Sequence, residues 1–379
     1  MLISASTVVT GEAVLRPGWL EVEGALIGAV GAGAPPRSAD VALGDATVVP
    51  GFVDMHSHGG GGAAFTEATV EATRVAVELH RRHGTTAMMA SLVSAQPTDL
   101  RRQVERLREH VQEGLVVGIH LEGPWLALKR CGAHDPAALR DPDPAEVEAL
   151  FSAGRGTIRM VTIAPELEGA PEAIRRIVDS GALAALGHTD ATYDQTRAGI
   201  DAGARVATHL FNGMRSVHHR EPGPAIALTE NPQVLVEMIT DGTHLHPALY
   251  RSVSDRVGRD RVALITDAMA AAGMPDGAYT LGALPVEVED GTARIAGTET
   301  IAGSTATMDQ VFRFAVTHSS LPRDEALLLG VRQASLNPAR VLGLDARGLA
   351  PGAPADLVAL DSALQVAAVL HRGCWLTSP

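Results

Sequence analysis

The strongest constraint on this chain is an alternation. Eight apolar, strand-like runs recur along it, most of them followed by an amphipathic helical pattern. The runs are VVPGFVDMHSH, TTAMMASLV, LVVGIHLEG, IRMVTIAPE, ALAALGHTD, ARVATHLFN, VLVEMITDG and RVALITDAM. Between them lie patterns such as EATRVAVELHRRHG, TDLRRQVERLREHVQEG, PEAIRRIVDSG, YDQTRAGIDAG and PALYRSVSDRVG. Parallel strands need long crossovers, and eight strand–helix units predict an α/β fold, a (β/α)8 barrel. An open doubly wound sheet is the alternative, but no dinucleotide glycine fingerprint follows the first run. DQVFRFAVTHS and RDEALLLGVRQASLNPARVLG complete the ring, and TLGALPVEVEDGTARIAG reads as a hairpin-like excursion after the eighth run. Both ends of the chain carry short β runs separated by Gly/Pro turns. The expected division is therefore a small β layer built from residues 1–48 plus 350–379, with the barrel spanning 49–349.

Composition removes several function classes. A net charge of −13 argues against a nucleic-acid partner, because no positive field would collect phosphates. Cys131 and Cys374 are the only cysteines among 379 residues, too few for a disulfide framework and in keeping with a reducing compartment. No apolar run reaches membrane-span length, and the opening residues lack a basic leader pattern, so a cytoplasmic protein with no membrane partner is expected. Lys129 is the only lysine. Schiff-base chemistry and a carbamylated lysine bridging two metals are thereby disfavoured, and no phosphate loop of the G-x-x-x-x-G-K-[ST] type occurs. If two metals bind, a carboxylate must bridge them.

Polar residues gather where the runs end. The first ends in Asp54, His56 and His58, the third in His120 and Glu122, and the fifth in His188. The sixth ends in His209, the seventh in Asp241 and His244, and the eighth in Asp267. In a barrel all these ends open on one face, where active sites are built. His56 and His58 are two apart on a strand, so both point to the same side. Alone, such a pair is a weak signal. Glu122 in an apolar run is a carboxylate that a core would not accept unpaired. Four histidines and a glutamate converging on one face predict a metal site, with Asp267 placed to move a proton and Asp54 to orient the first-strand histidines. Arg215, His218, His219 and Arg220 cluster after the sixth run, and His244 and His246 follow the seventh; these suit an anionic substrate. Gly59–Gly62 reads as a mobile loop beside the metal, His80 and His83 as solvent-facing, and Cys131 as a bystander in a segment that could cover the substrate.

The motifs PGFVDMHSHGGGG, GIHLEGPWLALKRCGAHDP, LGHTDA, THLFNGMRSVHHREPG, DGTHLHP, TDAM and IAGS, in this order, resemble those of the N-acetylglucosamine-6-phosphate deacetylases. These enzymes are a branch of the metal-dependent amidohydrolase superfamily. The resemblance implies a distorted (β/α)8 barrel with a small β-sandwich made from both termini. It implies metal ligation by Glu122, His188 and His209, a second metal at His56 and His58 bridged by Glu122, and Asp267 both as catalytic aspartate and as a further metal ligand. It maps substrate contacts to Ala133, Asn212, Gly213, Arg220, His244, Ile301, Ala302 and Gly303. Arg220 would reach the phosphate of a sugar phosphate across the interface of a homodimer. The implied cofactor is one or two divalent ions per chain, Zn2+ ahead of Fe2+, Mn2+ or Co2+. The implied reaction is hydrolysis of N-acetyl-D-glucosamine 6-phosphate to the amino sugar phosphate and acetate. The alternatives are the N-acetylgalactosamine epimer, another amidohydrolase acting on a small anionic amide, and a non-catalytic scaffold. The scaffold is disfavoured because every ligand position is filled.

Overall fold

A computed structural model describes residues 1–377; Ser378 and Pro379, the end of the expected terminal segment, lie outside the described residues. Eight parallel strands form one sheet in chain order: β1 (Phe52–Asp54), β2 (Thr85–Leu92), β3 (Gly118–Glu122), β4 (Ile158–Ile163), β5 (Leu183–Leu186), β6 (Val206–Ala207), β7 (Leu235–Ile239) and β8 (Val262–Ile265). Each lies within one of the eight apolar runs. Both faces of these strands are covered, which is why they read as nearly continuous apolar stretches. No ladder joins β8 to β1. The seam closes only at the carboxyl ends, where Asp267 N–H donates to His56 O at 2.9 Å and His58 N–H to Ala268 O at 2.7 Å. The barrel is therefore distorted, and its stitched end is the end that carries the polar residues.

The barrel interior is filled by side chains such as Met55, Met89, Met160, Val206 and Ile265, joined by Ala339 from the last helix and Leu342 just after it. The five helical patterns become Val70–Arg82, Pro97–Gln112, Ala170–Asp179, Tyr193–Asp201 and Pro247–Val257. Their starts follow local chemistry: Thr69 accepts from Ala72 N–H, and Thr192 with Gln195 forms a capping box. Two further helices fill out the ring. Asp143 caps Pro144–Gly154, whereas Gly223–Glu230 is short and buried on most sides, so it shows no amphipathic stripe. The final pattern folds as Arg323–Val331, a wider turn over Arg332–Leu336, and Asn337–Val341. Pro338 lies in that last piece, where its missing N–H cannot serve a regular helical ladder.

The termini form two sheets, one of four strands and one of six. In the larger sheet Thr47–Pro50 pairs antiparallel with Leu357–Leu360, with Pro50 opposite Leu357, so the chain ends are joined across the whole barrel sequence. A separate apolar cluster that includes Ile3, Leu20, Ile27, Leu357 and Leu370 sits between these sheets. Gly51 alone separates this layer from β1, and a Cβ there would lie 2.2 Å from Thr86 Oγ1. The excursion is a three-stranded antiparallel sheet over Gly277–Leu281, Leu284–Glu289 and Thr292–Ile295.

Two expectations are corrected. Gly59 and Gly60 are buried and pair with Ala63 and Ala64, and Gly61 and Gly62 donate to Ala272 O and Ala270 O; the glycine run is hydrogen-bonded structure rather than a free loop. His80 is fully buried, its Nε2 bonded to Gly59 O at 2.9 Å, whereas His83 stays partly exposed beside Asp309, 3.1 Å away. The helix end that looked solvent-facing packs on the glycine strand. No helix of the described residues is long and apolar enough to cross a membrane.

Phe312, from helix Met308–His318, is fully buried, with its ring centroid 5.2 Å from that of Phe52 on β1. Phe312→Ala is expected to lower unfolding free energy by about 3–5 kcal/mol, read by urea denaturation at fixed metal content. A loss below about 1 kcal/mol would show that this contact does not support the seam.

Candidate active site

The stitched ends of the strands bring the predicted ionisable residues together around Glu122. Its Oε1 lies 3.1 Å from His188 Nε2, 2.8 Å from His209 Nε2 and 3.5 Å from His56 Nε2. Its Oε2 lies 3.1 Å from His58 Nε2 and 3.3 Å from His134 Nε2. Asp267 Oδ1 adds contacts of 3.4 Å to His56 and 3.2 Å to His58. All these residues are buried.

Hydrogen bonds behind the rings set which nitrogen faces the site. His58 Nδ1 donates to Ser91 O at 3.2 Å, His188 Nδ1 to Arg130 O at 2.8 Å, and His56 Nδ1 to Glu237 Oε2 at 3.2 Å. Each of these rings, when neutral, therefore turns an Nε2 lone pair inward. His134 is the opposite case. Its Nδ1 accepts from Ser94 N–H at 3.1 Å, so its Nε2–H donates to Glu122. The centre thus collects lone pairs and carboxylate oxygens, a set whose natural complement is a cation. Two overlapping groups have donor atoms close enough to share an ion: His56, His58, Glu122 and Asp267, and Glu122, His134 and His188. By its tautomer, His134 serves as a donor beside the second group.

Electrostatics point the same way. Burial alone would depress the His58 pKa, but bonds to Asp267 and Glu122 outweigh it and carry it up to about 9. Burial also depresses His56, and the surrounding carboxylates reverse this to well above its ordinary value. Burial would raise Asp267, yet the His56 and His58 imidazoles bring it down to about 2, so it is ionised at neutral pH. His134 is pushed down to about 4 by burial against the pull of Glu122 and stays neutral.

The backbone is strained where these groups project. His188, His209 and Asp267 have φ values of 46°, 24° and 49°, left-handed conformations that cost a non-glycine residue about 1–3 kcal/mol. The strain is held by the surroundings: Asp267 is bridged to His56 and Ser304 through its backbone, and Thr189 beside His188 bonds Gly213 O at 2.9 Å.

A cavity of about 310 Å³ opens over this cluster. Of the substrate positions expected from the sequence, Ala133, Asn212, Gly213, His244, Ile301 and Gly303 line it. Ala302 does not; it is fully buried, with its N–H bonded to Ala293 O. Arg220 is exposed, outside its own chain's cavity, with Nη1 2.8 Å from His219 Nε2. Arg215 instead joins Lys129 and Arg130 on the Asp190 carboxylate, which ties the Cys131 segment to the ends of β5 and β6. His244 Nδ1 bonds Asp241 Oδ2 at 2.7 Å. Asp54 has a different task from the one expected: it accepts from His56 N–H and from Thr266 N–H and Oγ, fixing backbone rather than an imidazole ring. The ring partner is Glu237, which sequence reasoning missed along with His134. Glu237 carried a signal, an ionisable residue inside the apolar run VLVEMI. His134 carried no signal of periodicity, since it lies in a loop, and stood only inside the motif GIHLEGPWLALKRCGAHDP.

The amidohydrolase family model matches residues 47–375. Over 100% of this chain and 99% of the other, the fold superposes at TM-score 0.99 and 61% identity on the D267A mutant of N-acetyl-D-glucosamine-6-phosphate deacetylase from Mycobacterium smegmatis, in complex with N-acetyl-D-glucosamine 6-phosphate. The chain is 38% identical to an N-acetylgalactosamine-6-phosphate deacetylase of Escherichia coli O157:H7, across 86% of each sequence. It is 35% identical to the N-acetylglucosamine-6-phosphate deacetylase of Vibrio furnissii, across 89% of this chain and 85% of that one.

A Cβ at Gly213, where φ is +60°, would lie 2.9 Å from His188 Nδ1. Gly213→Ala is expected to displace the His188 ring and weaken metal retention against a competing chelator roughly tenfold to a hundredfold, read by metal analysis after dialysis. Retention equal to wild type would remove His188 from the metal site. With the family model covering most of its length and the donor cluster in place at the strand ends, this chain belongs to the amidohydrolase family.

Proposed function

We propose that the chain hydrolyses N-acetyl-D-glucosamine 6-phosphate to D-glucosamine 6-phosphate and acetate, as a cytoplasmic enzyme of amino-sugar breakdown. One observation carries this reading: the Glu122-centred cluster opens into a sugar-sized cavity in a chain that is 61% identical, end to end, to a relative whose structure holds that substrate. The barrel span 49–349 is assigned the chemistry, and the layer from residues 1–48 and 350–379 its support.

Glu122, His188 and His209 are assigned to one divalent ion. His56 and His58 would hold a second, with Glu122 shared between the two sites and Asp267 beside it. Zn2+ is the first candidate, and Fe2+, Mn2+ and Co2+ suit the same donors. Bound there, such an ion supplies Lewis acidity, bringing the pKa of a water toward about 7 and drawing charge from the amide carbonyl. Asp267, ionised in this setting, takes the proton of the attacking water at its carboxylate and returns it to the departing nitrogen. The His134 Nε2–H is held by Glu122; released from it when Glu122 ligates a cation, it would be a neutral donor for the oxygen on which charge develops. Ala133, Asn212, Gly213, His244, Ile301 and Gly303 hold the sugar. Burial would depress the His244 pKa, but Asp241 raises it above the ordinary value, which suits a donor to an anionic substrate. Arg220 is assigned to the phosphate of the partner's substrate in a homodimer; its exposure outside its own cavity supports this role.

A second reading has its own support. The relationship to a galactosamine-6-phosphate deacetylase makes the 4-epimer a candidate substrate. Acetate release from both phosphorylated sugars and from free N-acetylglucosamine separates the readings. Release from the phosphorylated gluco sugar, lost on chelation and restored by a divalent ion, is expected; metal binding without acetate from any of them would remove the deacetylase assignment. Asp267→Asn is expected to lower kcat by roughly 10²–10⁴ with metal content retained, and near-normal turnover would end its assignment as the proton carrier. Arg220→Ala is expected to raise KM for the phosphorylated sugar about tenfold to a hundredfold with little change in kcat, whereas an unchanged KM places the phosphate elsewhere.

A further inference from the structure

Glu237 lies in the middle of β7, opposite Ala263 of β8, and is completely buried. No arginine or lysine pairs with it among the described residues; the one ionisable side chain within salt-bridge distance is the His56 ring. Its two oxygens are used unequally. Oε2 accepts from His56 Nδ1 at 3.2 Å and from the backbone N–H of His209, also at 3.2 Å. Oε1 is buried and has no hydrogen-bond partner. A buried carboxylate with half its capacity unmet is costly, and a barrel wall of Val, Leu, Met and Ile offers no structural reason to carry it.

The two groups it touches belong to opposite halves of the donor cluster. His56 stands with His58, their Nε2 atoms 3.2 Å apart, and His209 stands with His188, their Nε2 atoms 3.1 Å apart. A carboxylate only accepts, so the His56 proton in contact with Glu237 sits on Nδ1 and the Nε2 lone pair is presented to the centre. In the other tautomer His56 would point an N–H at the ion position and could not ligate. The same oxygen holds the peptide N–H of His209, whose φ of 24° lies furthest of the three positive-φ site residues from the ordinary left-handed region. His209 Nδ1 has no partner of its own, so this backbone contact through Glu237 is one of the restraints on the residue that carries the ring. Leu210 N–H adds a bond to Glu237 O at 2.9 Å, which keeps the turn after β6 against β7.

We propose that Glu237 is the positioning residue that couples the two halves of the metal site: through one oxygen it fixes His56 in its ligating tautomer and braces the backbone that aims His209. The inference rests on the two-ion reading given above. Its test compares the holoenzyme with Glu237→Gln, which keeps an acceptor but removes the charge, and Glu237→Leu, which fills the space without an acceptor. Ions per chain, the rate of ion loss to a chelator, and histidine ring 15N spectra of the zinc-loaded proteins are the readouts.

The expected wild type holds two ions and carries the His56 proton on Nδ1. Glu237→Leu is expected to retain fewer than two ions and lose them at least about tenfold faster, with Glu237→Gln in between. A merely space-filling role for Glu237 would leave both ion count and loss rate of the Leu variant unchanged, and that result overturns the proposal. A His56 proton on Nε2 in the zinc-loaded wild type overturns it as well, even if the Leu variant does not fold. A wild type that holds a single ion removes the two-ion reading, while the His56 spectrum still decides the role of Glu237.

Discussion

The structure depends on one buried carboxylate. Glu122 stands at the carboxyl end of β3 and meets five imidazoles, three through one oxygen and two through the other. A negative charge at the mouth of an apolar barrel is tolerable only if positive charge comes to it. The histidines supply part of that charge when protonated, and a divalent ion would supply all of it. Residues from four other strand ends and one loop therefore converge on a point that no two of them could stabilise alone.

Below this point lies a layer of neutral polar groups. His120 bonds Ser91 Oγ at 2.9 Å and Thr162 Oγ1 at 2.9 Å, and Thr162 meets Thr208 at 2.9 Å. This chain crosses β2, β3 and β4 and continues past β6, separating the charged mouth from the methionine-rich interior. Burial drives the His120 pKa far below its ordinary value, with the His56 charge acting in the same direction, so the ring stays neutral and serves as a spacer rather than as another cation. Asp54, pushed up to about 6 by burial against its bonds to Thr266 and His56, ties the seam at the same level. The open seam between β8 and β1 is thus closed by the same backbone and side-chain bonds that set the positions of His56, His58 and Asp267. Fold closure and site geometry are one set of contacts.

Much of this was legible in the residues. All eight apolar runs became barrel strands, because strands buried on both faces leave an apolar signature that needs no tertiary information. The strand-end clustering of Glu122, His188, His209 and Asp267 was legible for a related reason: an ionisable residue is conspicuous where apolar side chains are the rule. Helix Gly223–Glu230 was not legible, since burial on most sides erases the amphipathic stripe. His80 was misread because a histidine among arginines looks solvent-facing, while the packing partner that buries it, Gly59, lies 21 residues away.

By itself the sequence determined the barrel, the β character of both termini and the residue types that converge at the strand ends, because these follow from local periodicity and from the rule that parallel strands point one way. Tertiary structure alone decided the rest. Which nitrogen of each histidine faces the centre depends on partners 33 to 181 residues away, Glu237 for His56, Arg130 for His188 and Ser91 for His58. The same is true of the His134 loop, which no local pattern marks, and of Arg220, which folding leaves outside the cavity of its own chain. A tautomer is set by the hydrogen bond on the far side of the ring, and that bond exists only once distant strands have been brought together.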